Sequence, residues 1–349
     1  MITQSLYQTY QRFRTLQTDR ITSLPIVILM PHSACNCRCV MCDIWKGNQN
    51  LEQLGEKDII DLLSTLKKLG TRRVLMSGGE ALLNHNFFRL CEILQKENIR
   101  ITLLSTGLTL KKNAAALIEW VNDLIVSLDG DEATHDTIRN INGAFKKLEE
   151  GIQQVRLLSP HFPISSRTVI HRLNFRKWIP LINAAKKIGI NQVSFLPADV
   201  SSHAFNRQQA WDTARQHEII PLEDELPALQ VMIDTIIDHY YAAPDSDFIA
   251  EPPEKLQKIH DYYAAFYGKN AFPFKKCNAP WVSTVVEADG TVRPCFFHEA
   301  IGNIHKEPLE KILNSERAVQ FRKTLDMETN STCVKCVCAL NLRPGANRF

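Results

Sequence analysis

Three cysteines, Cys35, Cys39 and Cys42, constrain this chain more than any other feature, because they lie in one short segment with the spacing C-x3-C-x2-C. A [4Fe–4S] cube has four irons, and thiolates are its usual ligands. Three thiolates on one loop can hold three irons and leave the fourth open to an amine and a carboxylate. Closely spaced cysteines also bind Zn2+, but structural zinc favours paired C-x2-C knuckles. The spacing therefore predicts an iron–sulfur cluster with one open iron.

This loop resembles the cluster loop of the radical S-adenosylmethionine (radical SAM) enzymes, in which the methionine end of SAM chelates the open iron. The resemblance implies that Cys35, Cys39 and Cys42 are the metal ligands at the catalytic centre. Cys37 stands where family members more often have an apolar or aromatic residue, and we predict that it is not a ligand. Met41 either packs beside the adenine of SAM or simply fills space.

Composition and charge narrow the classes of protein to which the chain could belong. The chain has 349 residues, of which 44% are hydrophobic and 23% charged, as in ordinary soluble globular proteins. A net charge of +3 gives no indication of a nucleic-acid or membrane partner. The aliphatic run 26–30 is too short to span a bilayer. Ten cysteines without a visible export signal predict metal or redox chemistry, and we expect a cytoplasmic protein.

The first half of the chain alternates strand-like and helix-like segments, which predicts an α/β fold with a parallel sheet and crossover helices. Six such units match the partial (β/α)6, TIM-like barrel of the radical SAM family, where chemistry lies on the loops after the strands. A doubly wound nucleotide-binding fold also alternates, but no G-x-G-x-x-G follows the first strand. The predicted strands are 25–30, 73–76, 99–104, 124–128, 165–170 and 192–196.

The rest of the chain loses this alternation. Amphipathic patterns predict helices at 226–241 and 254–267, with a break at 242–245. These helices would bridge the barrel to a C-terminal module, and they could also form a lid or a substrate platform. The predicted regions are an N-terminal helix (1–24), the barrel (25–199), the helical bridge (200–276) and a small β-hairpin/helix module that binds a cluster (277–349).

Strand two is followed by Gly78-Gly79-Glu80. Two glycines allow the backbone to approach a ligand closely, and a neighbouring carboxylate can accept hydrogen bonds from an ammonium group. A Gly-Gly-Glu turn alone is a weak signal, but at this spacing it matches the GGE motif of the radical SAM family. The resemblance implies that Gly78, Gly79 and Glu80 bind the amino group of SAM.

Two further strand ends resemble SAM-binding segments of the family. Ser105 and Thr106 follow strand three and would lie near the ribose, although the family more often has Thr-Asn-Gly there. Ser127 and Asp129 follow strand four, where Ser127 could contact SAM and Asp129 could meet the ribose or the substrate. Asp-Gly is also a plain turn signal. Arg139, in a His-Asp-x-Ile-Arg run, could pair with the SAM carboxylate or be a surface arginine.

The C-terminal region holds a second cysteine set, in which Cys277 and Cys295 flank a predicted hairpin and Cys333 and Cys336 follow a predicted helix at 308–325. It resembles the SPASM/twitch extension of radical SAM enzymes, which holds auxiliary iron–sulfur clusters. Five thiols cannot fully ligate two cubes, so the resemblance implies one auxiliary [4Fe–4S] cluster with these four ligands. Cys338 could replace Cys336, donate a hydrogen atom or be idle. Zinc remains the alternative for this module.

The resemblance implies one-electron chemistry, in which a reduced cluster cleaves SAM to methionine and a 5′-deoxyadenosyl radical that takes hydrogen from a substrate. Oxidation, epimerisation and peptide modification then compete as outcomes. About thirty residues precede the cysteine loop, which favours a small molecule over a peptide. We nominate Asp199 and His203, after strand six, as substrate contacts, and expect a flavodoxin- or ferredoxin-type reductant. A non-catalytic iron–sulfur or zinc scaffold is the alternative from another class.

Overall fold

The computed structural model describes residues 2–207, 209–241 and 246–346. Its strands are β1 (Ile26–Leu29), β2 (Arg73–Met76), β3 (Arg100–Ser105), β4 (Asp123–Ser127), β5 (Ile164–Ile170), β6 (Gln192–Pro197), β7 (Ser283–Val286), β8 (Thr291–Arg293) and β9 (Gly302–Asn303). They form one open sheet in the order β6-β5-β4-β3-β2-β1-β7-β8-β9. Strands β1 to β6 are parallel neighbours, and the predicted partial (β/α)6 barrel is confirmed.

Helices follow the parallel strands in the predicted alternation. The first seven are α1 (Ile2–Thr18), α2 (Glu56–Lys68), α3 (Phe87–Lys96), α4 (Leu110–Trp120), α5 (Glu132–Arg139), α6 (Ala144–Leu158) and α7 (Trp178–Lys187). Side chains alternate across each strand, so one face of β5 is fully buried and Arg167 lies on the other face, exposed. On the buried side, Trp178 of α7 packs edge-on against Phe195 of β6, with ring centroids 4.9 Å apart. The helices thus cover one face of the sheet and leave the other open.

The bridge and the C-terminal module contain seven more helices among the described residues. They are α8 (Thr213–Ile219), α9 (Leu226–Ile236), α10 (Pro253–Phe266), α11 (Ala279–Val282), α12 (Leu309–Leu313), α13 (Glu316–Thr324) and α14 (Ser331–Val334). A π-helical turn, Ile237–Tyr241, continues α9. The predicted break at 242–245 lies outside the described residues. No described helix is long and apolar enough to cross a membrane.

The C-terminal module continues the barrel sheet. Strand β7 pairs in parallel with β1 along its whole length, from Ile26 opposite Ser283 to Leu29 opposite Val286. The antiparallel hairpin of β7 and β8 and the short β9 then extend the sheet. The end of β1, which feeds the first cysteine loop, therefore lies beside the end of β7 and the turn into β8, whereas Cys277 precedes the start of β7.

Two sequence-based boundaries differ in this module. The first strand of the predicted hairpin, which the sequence pattern places at 281–287, is observed at Ser283–Val286, because Pro280 in the first turn favours the short helix α11. The helix predicted at 308–325 is two helices, because the side chain of Asn314 turns back to the backbone of Ile21, at 2.8 and 3.0 Å. Helix α8, capped by Asp212, was not predicted.

Candidate active site

The first cysteine loop is held from outside by the end of helix α5. The backbone N–H groups of Arg38 and Val40 donate to the carbonyls of Arg139 and Ile138, each at 3.1 Å. Carbonyls at a helix C-terminus have no partners within the helix, so they are available to an incoming loop. These two bonds frame Cys39, and they fix the middle of the loop against the barrel.

The Gly-Gly-Glu turn packs directly on the start of the cysteine loop. A Cβ on Gly79 would lie 2.0 Å from the carbonyl oxygen of Ala34, the residue before Cys35. The Glu80 N–H donates to that same carbonyl at 2.9 Å. Gly78 has φ +107, a conformation that favours glycine. Both glycines are therefore required for the turn to meet the loop.

Glu80 is fully buried and its carboxylate gathers the predicted SAM-binding residues of strand three. Thr106 donates to it through its hydroxyl (2.6 Å) and its backbone N–H (2.7 Å), and Ser105 donates through its hydroxyl at 3.0 Å. Burial raises the pKa of Glu80, while the bonds from Thr106, Leu82 and Ser105 lower it. The structure thus brings Glu80, Ser105 and Thr106 together. The hydroxyls of Ser105 and Thr106 both contact Glu80, and the role of these two residues at the ribose remains a prediction.

Cys39 lies in a pocket that favours the thiolate. The Arg139 guanidinium is 3.4 Å from its sulfur, and the Arg139 Nη2 atom is 2.6 Å from the Asp129 carboxylate. A hydrogen bond from Cys37, the charge of Arg139 and a bond from Arg139 lower the pKa of Cys39 to about 7 against the effect of burial. Burial raises the pKa of Cys35 to about 11. Cys37 thus lies close enough to act on Cys39, and its absence from the ligand set remains a prediction.

Asp129 is buried, and its Oδ1 atom has no hydrogen-bond partner among the described residues. Its backbone N–H donates to His135 Nδ1 at 3.2 Å. The sequence assigned Asp129 to the ribose or the substrate and Arg139 to the SAM carboxylate, whereas the structure pairs the two side chains. Those ligand roles remain predictions. Ser127 is half-buried at the end of β4, in register with Arg167 of β5.

A segment after strand β6 clasps the cysteine loop, which the sequence did not predict. Arg207 donates to the Asp199 carboxylate at 2.7 Å and to the Met41 carbonyl at 3.3 Å. Trp211 donates to the Asp43 carboxylate at 3.0 Å and stacks under the Arg207 guanidinium. The Asp199 and Arg207 side chains are 2% and 0% exposed. Asp199 therefore pairs with Arg207 in this segment, and its role with a substrate remains a prediction.

The second cysteine set lines one small cavity. The cavity is also lined by Phe297, His298 and Lys275. The thiols are not drawn around one point, since no three His, Cys, Asp or Glu side chains in the described part of the chain are grouped for a single metal ion. The donors are nevertheless all thiols, the set that suits iron–sulfur clusters. The cysteines that line the cavity are Cys277, Cys295, Cys333, Cys336 and Cys338.

A larger cavity of about 1020 Å3 is lined by residues that neighbour both cysteine sets, such as Asp43 and Phe296, although no described cysteine itself lines it. The ends of β1 and β2 contribute Met30 and Gly79, and the loop after β6 contributes His203. Phe297 and His298 line this cavity as well as the small one. The nominated residue His203 thus faces the same space as the C-terminal module.

Comparison with known protein families agrees with this arrangement. Residues 29–197 match the radical SAM superfamily, and residues 277–337 match SPASM, an iron–sulfur cluster-binding domain. The chain belongs to the radical SAM superfamily. It is an enzyme of that superfamily, with a [4Fe–4S] cluster that binds SAM and an auxiliary cluster domain, and the sequence-based family prediction is confirmed.

Curated relatives of this radical SAM protein act on different substrates. An AdoMet-dependent heme synthase of Methanosarcina barkeri is 26% identical over 88% of this chain and 87% of its own length. A cysteine-type anaerobic sulfatase-maturating enzyme of Clostridium novyi is 24% identical over 90% and 84%. The superfamily domain is thus shared by small-molecule and protein-modifying relatives.

Solved structures share the fold. SuiB of Streptococcus suis bound to S-adenosylmethionine matches with a TM-score of 0.65 and 13% identity, over 97% of this chain and 80% of that chain. A structure of anSMEcpe with bound AdoMet and a Cp18Cys peptide matches with a TM-score of 0.65 and 17% identity, over 90% and 88%. These likenesses confirm a partial barrel with its C-terminal extension.

Proposed function

We propose that this radical SAM enzyme oxidises or epimerises a small molecule held in the 1020 Å3 cavity. The observation that carries the proposal is that residues next to both cysteine sets line this one cavity, Asp43 beside Cys42 and Phe296 beside Cys295. A substrate in the cavity then lies within reach of SAM on one side and of the auxiliary cluster on the other. Epimerisation would need a hydrogen donor, for which Cys338 of the small cavity is the candidate.

The chain's own residues prepare the SAM site in this proposal. Cys35, Cys39 and Cys42 would hold three irons, and Arg139 and Cys37 would stabilise the Cys39 thiolate. Glu80, fixed by Ser105 and Thr106, would accept the SAM ammonium group. When bound and reduced, the cluster supplies the electron that cleaves SAM.

We infer the substrate class from relatives. The matches with relatives named heme synthase and Fe-coproporphyrin III synthase cover 87% and 83% of those proteins' lengths. Tetrapyrroles are therefore the first class of small molecule to test.

The test is anaerobic reconstitution followed by turnover with Fe-coproporphyrin III as the probe. We expect about eight irons per chain, 5′-deoxyadenosine formation with SAM and dithionite, and loss of that product in Cys35→Ala. The matched variant is Cys91→Ala, at a buried cysteine of helix α3 outside both cysteine sets, and it should keep the product. A flavodoxin should replace dithionite if the reductant is of that type. No SAM cleavage by the eight-iron protein would contradict the proposal. Cleavage stimulated by a cysteine-containing peptide, but not by the porphyrin, would favour a peptide substrate.

A further inference from the structure

His298 touches one of the auxiliary cysteines and also faces the large cavity. Its Nε2 atom lies 3.3 Å from the Cys333 sulfur, and its ring lines both cavities. Among the described residues that line both cavities, Phe297 and Thr332 complete the wall beside it. His298 therefore stands at the boundary between the substrate space and the second cysteine set.

The direction of this hydrogen bond follows from the ligand chemistry. A thiolate that binds iron has no proton, so Cys333 can only accept and His298 Nε2 must carry the hydrogen. A neutral imidazole then has its lone pair on Nδ1, which has no hydrogen-bond partner among the described residues. One tautomer of His298 is thus selected when Cys333 is a ligand.

The ring is held in this position from several sides. Phe321 of α13 packs edge-on against it, with ring centroids 4.9 Å apart. The His298 backbone carbonyl accepts from Arg293 Nη1 at 3.1 Å, and its N–H donates to the Cys295 carbonyl at 3.4 Å. Because backbone and ring are both anchored, the contact with Cys333 is built into the hairpin and does not depend on a mobile side chain.

We propose that His298 is a positioning residue that donates a hydrogen bond to Cys333 and raises the reduction potential of the auxiliary cluster. This rests on the proposed function, in which Cys333 is a cluster ligand. Hydrogen bonds to ligating sulfurs stabilise the more negative, reduced cluster, so they raise its potential. In that function, one electron would pass from the substrate radical to the auxiliary cluster, and the proton released from the oxidised group would pass to solvent. A higher reduction potential of the cluster makes this electron transfer more favourable.

The test compares His298→Leu, which removes the donor, with His298→Gln, which keeps an N–H near the position of Nε2. Each reconstituted holoenzyme is titrated with dithionite and both clusters are followed by electron paramagnetic resonance. We expect a lower auxiliary potential in the leucine variant, a potential near that of the parent in the glutamine variant, and no change at the SAM cluster. His305→Ala is the matched control, because His305 contacts Asp58 and no cysteine.

The outcomes separate this inference from the proposed function. An unchanged auxiliary potential in His298→Leu, with about eight irons retained, would overturn the inference while leaving the proposed function intact. Loss of about four irons in both His298 variants would also overturn it, because His298 would then be needed to hold the cluster. If the parent protein itself binds no second cluster, the proposed function fails before His298 is tested.

Discussion

Replacement of Gly79 by alanine tests whether the Gly-Gly-Glu turn positions the cluster loop. The added Cβ would lie 2.0 Å from the Ala34 carbonyl oxygen and 2.5 Å from its carbon. Neither atom belongs to a flexible side chain, and the oxygen also accepts the Glu80 N–H at 2.9 Å. The turn and the loop must therefore move apart as backbone segments.

The size of the effect follows from that distance. Real Cβ atoms essentially never approach a neighbour within 3.0 Å, so the two segments must separate by at least about 1 Å. A misplacement of about 1 Å in an active site can lower a rate by roughly 10²-fold. The displaced groups are Glu80, which would bind the SAM ammonium, and Cys35, which would bind iron. We therefore expect Gly79→Ala to lose roughly 10²-fold in 5′-deoxyadenosine formation.

The assay measures 5′-deoxyadenosine in reconstituted protein with SAM and dithionite, together with iron content and the change that SAM causes in the cluster's electron paramagnetic resonance signal. Gly55→Ala is the matched control, because the Cβ there meets only Asp58 Oδ2, at 3.7 Å, and φ is −101°. If Gly79→Ala cleaves SAM within a few-fold of Gly55→Ala, the close contact does not position the loop and the reasoning is refuted.

Three further predictions concern the surroundings of the site. Arg207→Ala leaves the buried Asp199 carboxylate without its cationic partner and with only the Ser202 hydroxyl among the described residues, so we expect the free energy of unfolding to fall by about 3–5 kcal/mol, and an unchanged denaturant midpoint would contradict this. Cys37→Ala should keep about eight irons, whereas loss of about four would make Cys37 a ligand. His171 is buried, and burial lowers its pKa to about 3. Below pH 6.5 the unfolded chain therefore binds a proton that the folded chain does not, so stability falls by up to about 1.4 kcal/mol per pH unit as the pH decreases from 6.5. We expect His171→Asn to flatten this acid slope in unfolding experiments from pH 7 to 5.

The sequence predicted the barrel closely because each strand is a short apolar run bounded by turn residues. Strand β2 matches its prediction at both ends, and β5 begins one residue earlier than predicted. The glycine pair was also placed correctly after β2, since its signal is local. Its physical cause was not visible, because the atom that forbids a side chain at Gly79 belongs to Ala34, far back in the sequence.

Side-chain pairings in the site could not be predicted in the same way. Asp199 and Arg207 are separated by a loop without periodicity, so no pattern indicated that they meet. Arg139 was predicted either to pair with the SAM carboxylate or to be a surface arginine, and its pairing with Asp129 depends on how α5 docks against the loop. Such contacts depend on tertiary geometry, which the spacing of residue types does not encode.

The parallel pairing of β7 with β1 has the largest consequence for function. A hairpin flanked by cysteines could have formed a separate unit after the helical bridge, and the sequence contains no register signal against that. The edge of β1 favours pairing with β7, because an apolar strand with an unpaired edge is an aggregation hazard until another strand covers it. Since β7 covers that edge in parallel, both strands end at the same side of the sheet, and the backbone N–H of Met30 donates to the Val286 carbonyl at 2.9 Å. The position of the hairpin that Cys277 and Cys295 flank is therefore fixed against β1 by one sheet register.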